Sequence, residues 1–575
     1  MLRSRVFVRG LKHKSLTTRG PQGALQAKDK SSPKAKGLQK LKKETTKTKE
    51  AYIHDYSIFP ETMQFRLPNE EEKGLPPKEH SNIIKMVFES GGIESMDLDK
   101  NQEKFDRFPL TNNFKLNKQT ERPGKVKMLS SDFINDSLYN PNYGYFSKEA
   151  VIFQPENPFD YNHLQGKDEF MEKWLQAYEK YDNENNRTPV IFNGGKKNAK
   201  GIDKAAEADK STKNNKKDTS STSTSTSKST SSSSDFKITK PSLQLWHTPT
   251  ELFQPFYGEA LARHILVNYK LNHYPYNDLI IYEAGAGNGT LMLNILDYLE
   301  KNEPDVYART KYRIIEISSK LFNKQNHRLK NHASKVEIVN QSILDWNIKV
   351  EDPCFFIALE VWDNFSHDVI RYDVDTKQPY QGYVVIDEHN DFHEYFSPKL
   401  DPWAKNFLQL RTESAVPISS QKRHPLNQFY PIRKGKTILN PLRNNFSDAE
   451  FIPTSLLKFF TVLKDYFPNH HLLASDFAYF DKTIPGYNSP TVQTMHKDNM
   501  VNVDSYMVEQ GYFDIMFPTD FIAMNEMYKQ VVGKSSQTCT HRTFLEKWGE
   551  IEKTKTKNGE NPMLELYENA AFLYS

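Results

Sequence analysis

The sequence predicts an α/β fold built on a mostly parallel sheet with helices on both faces. Two patterns carry that expectation. From Asp278 onward, short apolar runs alternate with amphipathic stretches, the rhythm of strands joined by crossover helices. A glycine-rich segment, Gly285-Ala286-Gly287-Asn288-Gly289, follows the first apolar run, at the place where open parallel sheets hold their ligands.

Residues 279–282 read as a buried strand. Residues 290–299 read as a helix with Leu291, Leu293, Ile295, Leu296 and Leu299 apolar. A second strand is expected at 312–317, with a polar helix after it through Leu321, Gln325 and Leu329. The third strand is expected at 336–339 and the fourth at 355–359. Beyond Tyr383, the runs 384–387 and 393–396 read as a hairpin, 456–466 as a helix and 471–475 as another buried strand. Upstream, 131–139 places Phe133, Ile134 and Leu138 at helical spacing behind a capping candidate, Ser131. It stops at the turn signal Asn140-Pro141-Asn142-Tyr143-Gly144-Tyr145.

A chain of 575 residues is long enough for several domains, yet 26% of it is charged and its mean hydropathy is −0.73. Polar, charged stretches do not offset the entropy of ordering them. One folded domain with disordered additions is expected. Its parts are 126–193 and 236–575, separated by a Lys/Asn/Ser/Thr-rich insertion at 194–235 that has no core to build. Residues 51–125 are expected to be a poorly ordered extension.

Residues 1–50 carry 15 Lys or Arg against 3 Asp or Glu, which leaves the remainder at 62 against 70. A basic arm on a mildly acidic body disfavours nucleic acid as the partner of the fold itself. Within residues 1–28, seven basic residues stand among Leu2, Val6, Phe7, Val8 and Leu11 without one acid. That is the composition of a mitochondrial transit peptide leading to the matrix; a plain basic tail is the alternative. Cys354 and Cys539 are the only cysteines, too few for a disulfide framework or a thiolate zinc cluster. No run of roughly 18 apolar residues is present, so no membrane span is expected.

Each residue type around the glycine loop has a chemical reason. Gly285, Gly287 and Gly289 let backbone turn sharply and approach a ligand without a Cβ in the way. Glu283, at the first strand's end, can accept hydrogen bonds from a cationic amino group. Glu316, at the second strand's end, can hold both hydroxyls of a ribose. A dinucleotide fingerprint fits less well, because Thr290 stands where a small residue should close helix on strand and the third glycine comes one residue early. A tight turn without a ligand stays open as the bland alternative.

The segment Tyr282-Glu283-Ala284-Gly285-Ala286-Gly287-Asn288-Gly289-Thr290-Leu291-Met292 resembles the signature of the MidA-type methyltransferases. These are the mitochondrial complex I assembly-factor protein arginine methyltransferases and their bacterial relatives. The likeness continues through Ile315-Glu316-Ile317-Ser318 with Leu321, Gln325 and Leu329, and in Ala358-Leu359-Glu360-Val361-Trp362-Asp363. Asn140 to Tyr145, Thr248-Pro249-Thr250-Glu251-Leu252-Phe253 with Gly258-Glu259, and 514–521 are similar to further elements of the family. Departures are Leu359 for Asn, Asn364-Phe365-Ser366 for Ala-Leu-Pro, and Ser475-Asp476-Phe477 in place of a D-Y-G turn, which loses a glycine.

The resemblance implies a Rossmann-like class I methyltransferase fold, S-adenosyl-L-methionine as cofactor, and an arginine of a mitochondrial protein, a respiratory complex I subunit, as acceptor. Glu283, Gly285, Gly287, Gly289 and Glu316 are then the expected cofactor-binding residues. Asp345, after the third strand, is expected at the adenine amino group, with a surface acid as the alternative. Glu360 and Asp363 are the expected catalytic acids that orient the acceptor, although Asp363 capping a following helix is open. Trp346 and Trp362 could flank the cofactor, but core packing is their commoner fate. Tyr143, Gly144 and Tyr145 read as a lid or, more simply, as a turn with packed aromatics. His389, His470 and His471 show no ligand spacing, and no metal is expected. A non-catalytic assembly factor keeping the fold, and an RNA methyltransferase, are the competing functions; the oligomeric state is open.

Overall fold

The computed structural model describes residues 98–148, 151–186, 245–414, 446–480, 483, 488–496 and 499–575. The transit peptide expected in 1–50 and the insertion expected at 194–235 lie outside the described residues. In chain order the strands are β1 (Val126–Leu129), β2 (Val151–Ile152), β3 (Leu245–Trp246), β4 (Leu279–Ala284), β5 (Thr310–Ile315) and β6 (Val336–Val339). There follow β7 (Cys354–Leu359), β8 (Asp368–Tyr372), β9 (Pro379–Ile386), β10 (Phe392–Ser397), β11 (Glu450–Ile452) and β12 (His470–Phe477). The last are β13 (Thr491–His496), β14 (Asn499–Val503), β15 (Asp514–Met516), β16 (Gln537–Thr540) and β17 (Ala570–Tyr574).

Seven strands form one sheet in the order β16-β17-β12-β7-β4-β5-β6. β12, β7, β4, β5 and β6 run parallel. β17 is antiparallel to both β12 and β16, so the sheet is mixed at one end. β4 is buried along its whole length, as a central parallel strand covered on both faces must be. Its side chains alternate between two cores. Leu279 and Ile281 join the core that includes Leu261 and Leu296, from the helices Phe256–Asn272 and Thr290–Asn302. Ile280 and Tyr282 join the other, which includes Phe460 and Met527, from the helices Thr454–Tyr466 and Phe521–Val532.

A second sheet, β1-β9-β8-β11 with β10 also on β9, is antiparallel. The expected hairpin is its β9–β10 pair, but its other strands were not read from the sequence. β1 and β11 come from segments distant in sequence, and their pairing leaves no local period to detect. A third sheet is β14-β13-β15.

Two expectations need correction. Residues 98–125, expected to be poorly ordered, contain the helices Leu98–Arg107 and Asn113–Leu116, and Leu116 is fully buried. The Phe105 ring packs edge-on against Tyr383 at 5.3 Å, and Lys127 Nζ donates to the Phe105 carbonyl at 2.9 Å. A few apolar side chains suffice because the surface they cover belongs to β1, β9 and β10. The second correction concerns Ser131. It lies inside the helix Ser130–Tyr139 and donates to Asp368 Oδ1 at 2.8 Å, while Leu129 is the N-cap without a side-chain bond.

Phe356, on β7, is fully buried and touches Tyr282, Phe459 and Phe467. Phe356→Ala is expected to lose about 3–5 kcal/mol, the transfer and cavity cost of an aromatic core deletion. The check is a lower urea midpoint at unchanged slope.

Candidate active site

Gly285 and Gly287 have φ of +68° and +54°, a region in which L side chains are strained. Gly285 N–H donates to the Ile315 carbonyl at 3.0 Å, which ties the loop to the end of β5. A Cβ on Gly287 would stand 2.9 Å from Ile152 Cδ1, and one on Gly285 3.2 Å from Val361 Cγ2. The loop therefore runs between β2 and the turn that follows β7. Gly289 closes it as the left-handed N-cap of the helix Thr290–Asn302.

Both strand-end acids are buried. Glu283 Oε2 accepts from the Tyr312 hydroxyl at 2.8 Å. Burial pushes its carboxyl up to about 8, against the Tyr312 hydrogen bond, with the neighbouring Glu316 adding to the rise. Glu316 Oε1 accepts from Ser318 N–H at 2.8 Å and Oε2 from Gln325 Nε2 at 2.9 Å. Burial raises it to about 7 in spite of those bonds. Asp345 ends the short helix Ile343–Asp345 beyond β6, with its side chain exposed. Trp346 and Trp362 are buried in the core, Trp346 against Tyr282 and Phe467, Trp362 against Phe459, Phe460 and Phe521.

The expected catalytic acids sit in the turn after β7. Glu360 has φ +52°, a conformation costing about 1–3 kcal/mol that surroundings must hold. Its N–H donates to the Ser475 carbonyl at 2.8 Å. Asp476 Oδ2 accepts from the N–H groups of Trp362 at 2.7 Å and Asp363 at 3.2 Å, while Oδ1 accepts from its neighbour Phe477 at 2.7 Å. Asp363 is fully buried and caps no helix, because β8 follows the turn. Burial drives the Asp476 carboxyl far up, and the charges of Asp363 and Glu360 add to it against the backbone bonds.

One phenol feels the charge of both groups of acids. Tyr139 is driven well above the ordinary tyrosine range, first by burial and then by Asp363, Asp514, Asp476 and Glu316. Tyr257 is raised by burial and then by Glu360, and a small cleft beside it is lined by Pro249, Glu360, Ser475, Asp476 and Tyr567. Sequence reasoning did not single out Tyr139, Asp476 or Glu251. Glu251 Oε1 accepts from Asn288 Nδ2 at 2.9 Å and Thr290 Oγ1 at 2.8 Å, which binds the Thr248–Leu252 segment to the glycine loop. The motif around Glu251 was the available signal; nothing local marks Tyr139. Tyr143 and Tyr145 are the turn of packed aromatics: Tyr143 donates to Asp136 at 2.9 Å, and Tyr145 accepts from Trp246 Nε1 at 3.2 Å. Away from this edge, Asp297, Glu300 and His332 bring ligand atoms within 4.8 Å of one another, a cluster the sequence reading did not note. His332 Nε2 lies 2.9 Å from Asp297 there, and Nδ1 2.7 Å from the Tyr307 hydroxyl.

A mostly parallel sheet with a left-handed glycine loop and acids at the ends of β4 and β5 has the layout in which such sheets hold their ligands. Residues 260–540 match the family model described as "Putative S-adenosyl-L-methionine-dependent methyltransferase". The chain is 26% identical over 332 residues to "Protein arginine methyltransferase NDUFAF7 homolog, mitochondrial" of Schizosaccharomyces pombe, covering 54% of this chain and 67% of the relative. The protein of the same name from Saccharomyces cerevisiae is 25% identical over 345 residues, 55% of this chain and 77% of the relative. Among solved structures, a likely methyl transferase from Burkholderia thailandensis bound to S-adenosyl-homocysteine aligns at 14% identity with a TM-score of 0.38, over 57% of this chain and 78% of that one. The chain is similar to the MidA-type S-adenosylmethionine-dependent methyltransferases. Both yeast relatives are named as mitochondrial proteins.

The residues present fit that cofactor. The exposed Gly285 and half-buried Gly287 offer open backbone, and Glu283 and Glu316 are acceptors of the kind that ammonium and hydroxyl donors need. Both acids have folded values of about 8 and about 7 against an ordinary 4.5. The folded chain therefore binds more protons than the unfolded one between about pH 4.5 and 8. Stability present below that window is lost as pH rises through it. The ligand-free melting temperature is expected to fall from pH 5 to pH 8.5. Glu283→Gln is expected to flatten the upper part of that fall, measured by thermal scans across the range.

Proposed function

We propose that the protein transfers a methyl group from S-adenosylmethionine to an arginine of a mitochondrial protein in the matrix, a subunit of respiratory complex I during assembly. The observation carrying this reading is the packing of the turn that holds Glu360 and Asp363 on the glycine loop, with Val361 Cγ2 3.2 Å from where a Cβ on Gly285 would stand. Cofactor acids and acceptor acids thus share one edge of the sheet. The names of the two yeast relatives support arginine as the acceptor.

The strand order supports a Rossmann-like class I fold, because β6-β5-β4-β7-β12 repeats the 3-2-1-4-5 order of doubly wound sheets. Its catalytic domain comprises 126–193 and 236–575. Residues 1–50 serve as transit peptide and linker, 51–125 as an extension whose last part packs on the domain, and 194–235 as an insertion between the two parts.

The cofactor supplies an electrophilic methyl group on a sulfonium. This chain's residues bind and align. Glu283 accepts from the methionyl ammonium, Glu316 from the ribose hydroxyls, and Asp345 from the adenine amino group. Gly285, Gly287 and Gly289 give close backbone approach. An arginine guanidinium is charged and a poor nucleophile, so Glu360 and Asp363 hold its fork and take up the released proton. Alignment of nucleophile and methyl group contributes about 7–11 kcal/mol of barrier lowering.

Calorimetric titration of the purified protein with S-adenosylmethionine is expected to show one site, lost in Gly287→Arg and weakened in Glu316→Ala. Absence of binding by a folded parent would sink the reading. Glu360→Gln and Asp363→Asn are expected to keep cofactor binding and to slow methylation of an arginine acceptor by roughly 100-fold or more.

A further inference from the structure

Two half-buried imidazoles meet at the end of the main sheet opposite the glycine loop. His273 is the C-cap of the helix Phe256–Asn272, and its backbone N–H donates to the Tyr269 carbonyl at 2.8 Å. His471 lies at the start of β12, paired with Phe355 of β7. Their Nε2 atoms stand 2.9 Å apart although 198 residues separate them in the chain, so no spacing in the sequence marks the pair.

The surroundings prepare both nitrogens for an ion. His471 Nδ1 lies 3.3 Å from the Ser575 backbone oxygen, which can only accept. Nδ1 therefore carries the proton and Nε2 presents its lone pair, as in a metal-ligating imidazole oriented by a backbone carbonyl. One aromatic ring holds both imidazoles: Phe355 stacks on His471 at 5.2 Å and meets His273 edge-on at 6.3 Å. Burial lowers the proton affinity of both. For His471 the charges of His273 and Lys534 lower it further, against the Ser575 bond. Neutral imidazole is the ligating form. With metal–nitrogen bonds of about 2.0–2.1 Å, a separation of 2.9 Å subtends roughly 90° at the ion. That is the angle between neighbouring ligands of a tetragonal centre; a tetrahedral ion would need about 3.3–3.4 Å.

We propose that His273 and His471 bind a late first-row divalent ion, copper or nickel by this angle, through their Nε2 atoms. His273 moves its ring proton to Nδ1, and the hydrogen bond between the rings gives way to two metal–nitrogen bonds. Among the described residues no third His, Cys or carboxylate joins the pair, so water fills the remaining positions. The ion sits at the amino end of β12, away from the acids at its carboxyl end, and does not depend on the methyl-transfer reading.

The test is calorimetric titration of the full chain with nickel ions at about pH 7.5, beside His273→Ala and His471→Ala. One saturable site is expected, weakened in each variant by at least the roughly 10-fold that even an outer-shell change costs a metal site. Electron paramagnetic resonance of the copper-loaded parent should show coupling to two imidazole nitrogens, and to one in each variant. His273→Gln, which can still donate to His471, covers the case in which the alanine variants do not fold; it should lose the ion as they do. No saturable binding by the parent, a copper spectrum without two imidazole nitrogens, or full binding by any of these variants overturns the proposal.

Discussion

The parallel pairing of β7 with β4 on one side and β12 on the other is the constraint on which the site depends. Ala284 sits opposite Ala358, and Ala358 opposite Ala474. Three strands in this register end at one level, so the segments after them emerge side by side. The glycine loop, the Glu360–Asp363 turn and Ser475–Asp476 are those segments. A parallel strand's hydrogen bonds stop where its neighbour's backbone turns away, and the amides beyond must find other acceptors. Here they find the Ser475 carbonyl and the Asp476 carboxylate.

The same geometry concentrates acids where water is excluded. Glu283, Glu316, Asp363 and Asp476 are all buried at this edge, and desolvation favours the neutral forms of Glu283, Glu316 and Asp476. Replacing one by an apolar group would relieve that cost, but the site would lose its attraction for a cation. A cationic ligand would restore the ionised form of the acid it meets, which makes this edge suited to a cation.

Sequence-distant segments complete the enclosure. Ile152 abuts Gly287, Glu251 holds Asn288 and Thr290, and Tyr139 donates to the Asn364 carbonyl at 3.3 Å. Each comes from before the first strand of the main sheet. The upstream part of the domain therefore covers the cofactor loop and contributes walls to the cleft. Its own packing is aromatic: Trp174 donates to His247 at 3.1 Å and packs with Phe170.

Strand and helix periods from Leu279 to Leu359 were legible in the sequence because each element there is bounded by local chemistry. Apolar runs, glycine turns and amphipathic spacing act within a few residues. The glycine loop and the position of both strand-end acids were legible for the same reason, since a strand's end and its loop are adjacent in the chain. The second sheet, the packing of 98–125 and the parts played by Tyr139, Asp476 and Gln325 were decided by tertiary structure alone. β1 meets β9 across more than two hundred residues, and Asp476 caps amides more than a hundred residues away. A partner that distant leaves no period or spacing in the chain, so only the folded arrangement shows which atoms it satisfies.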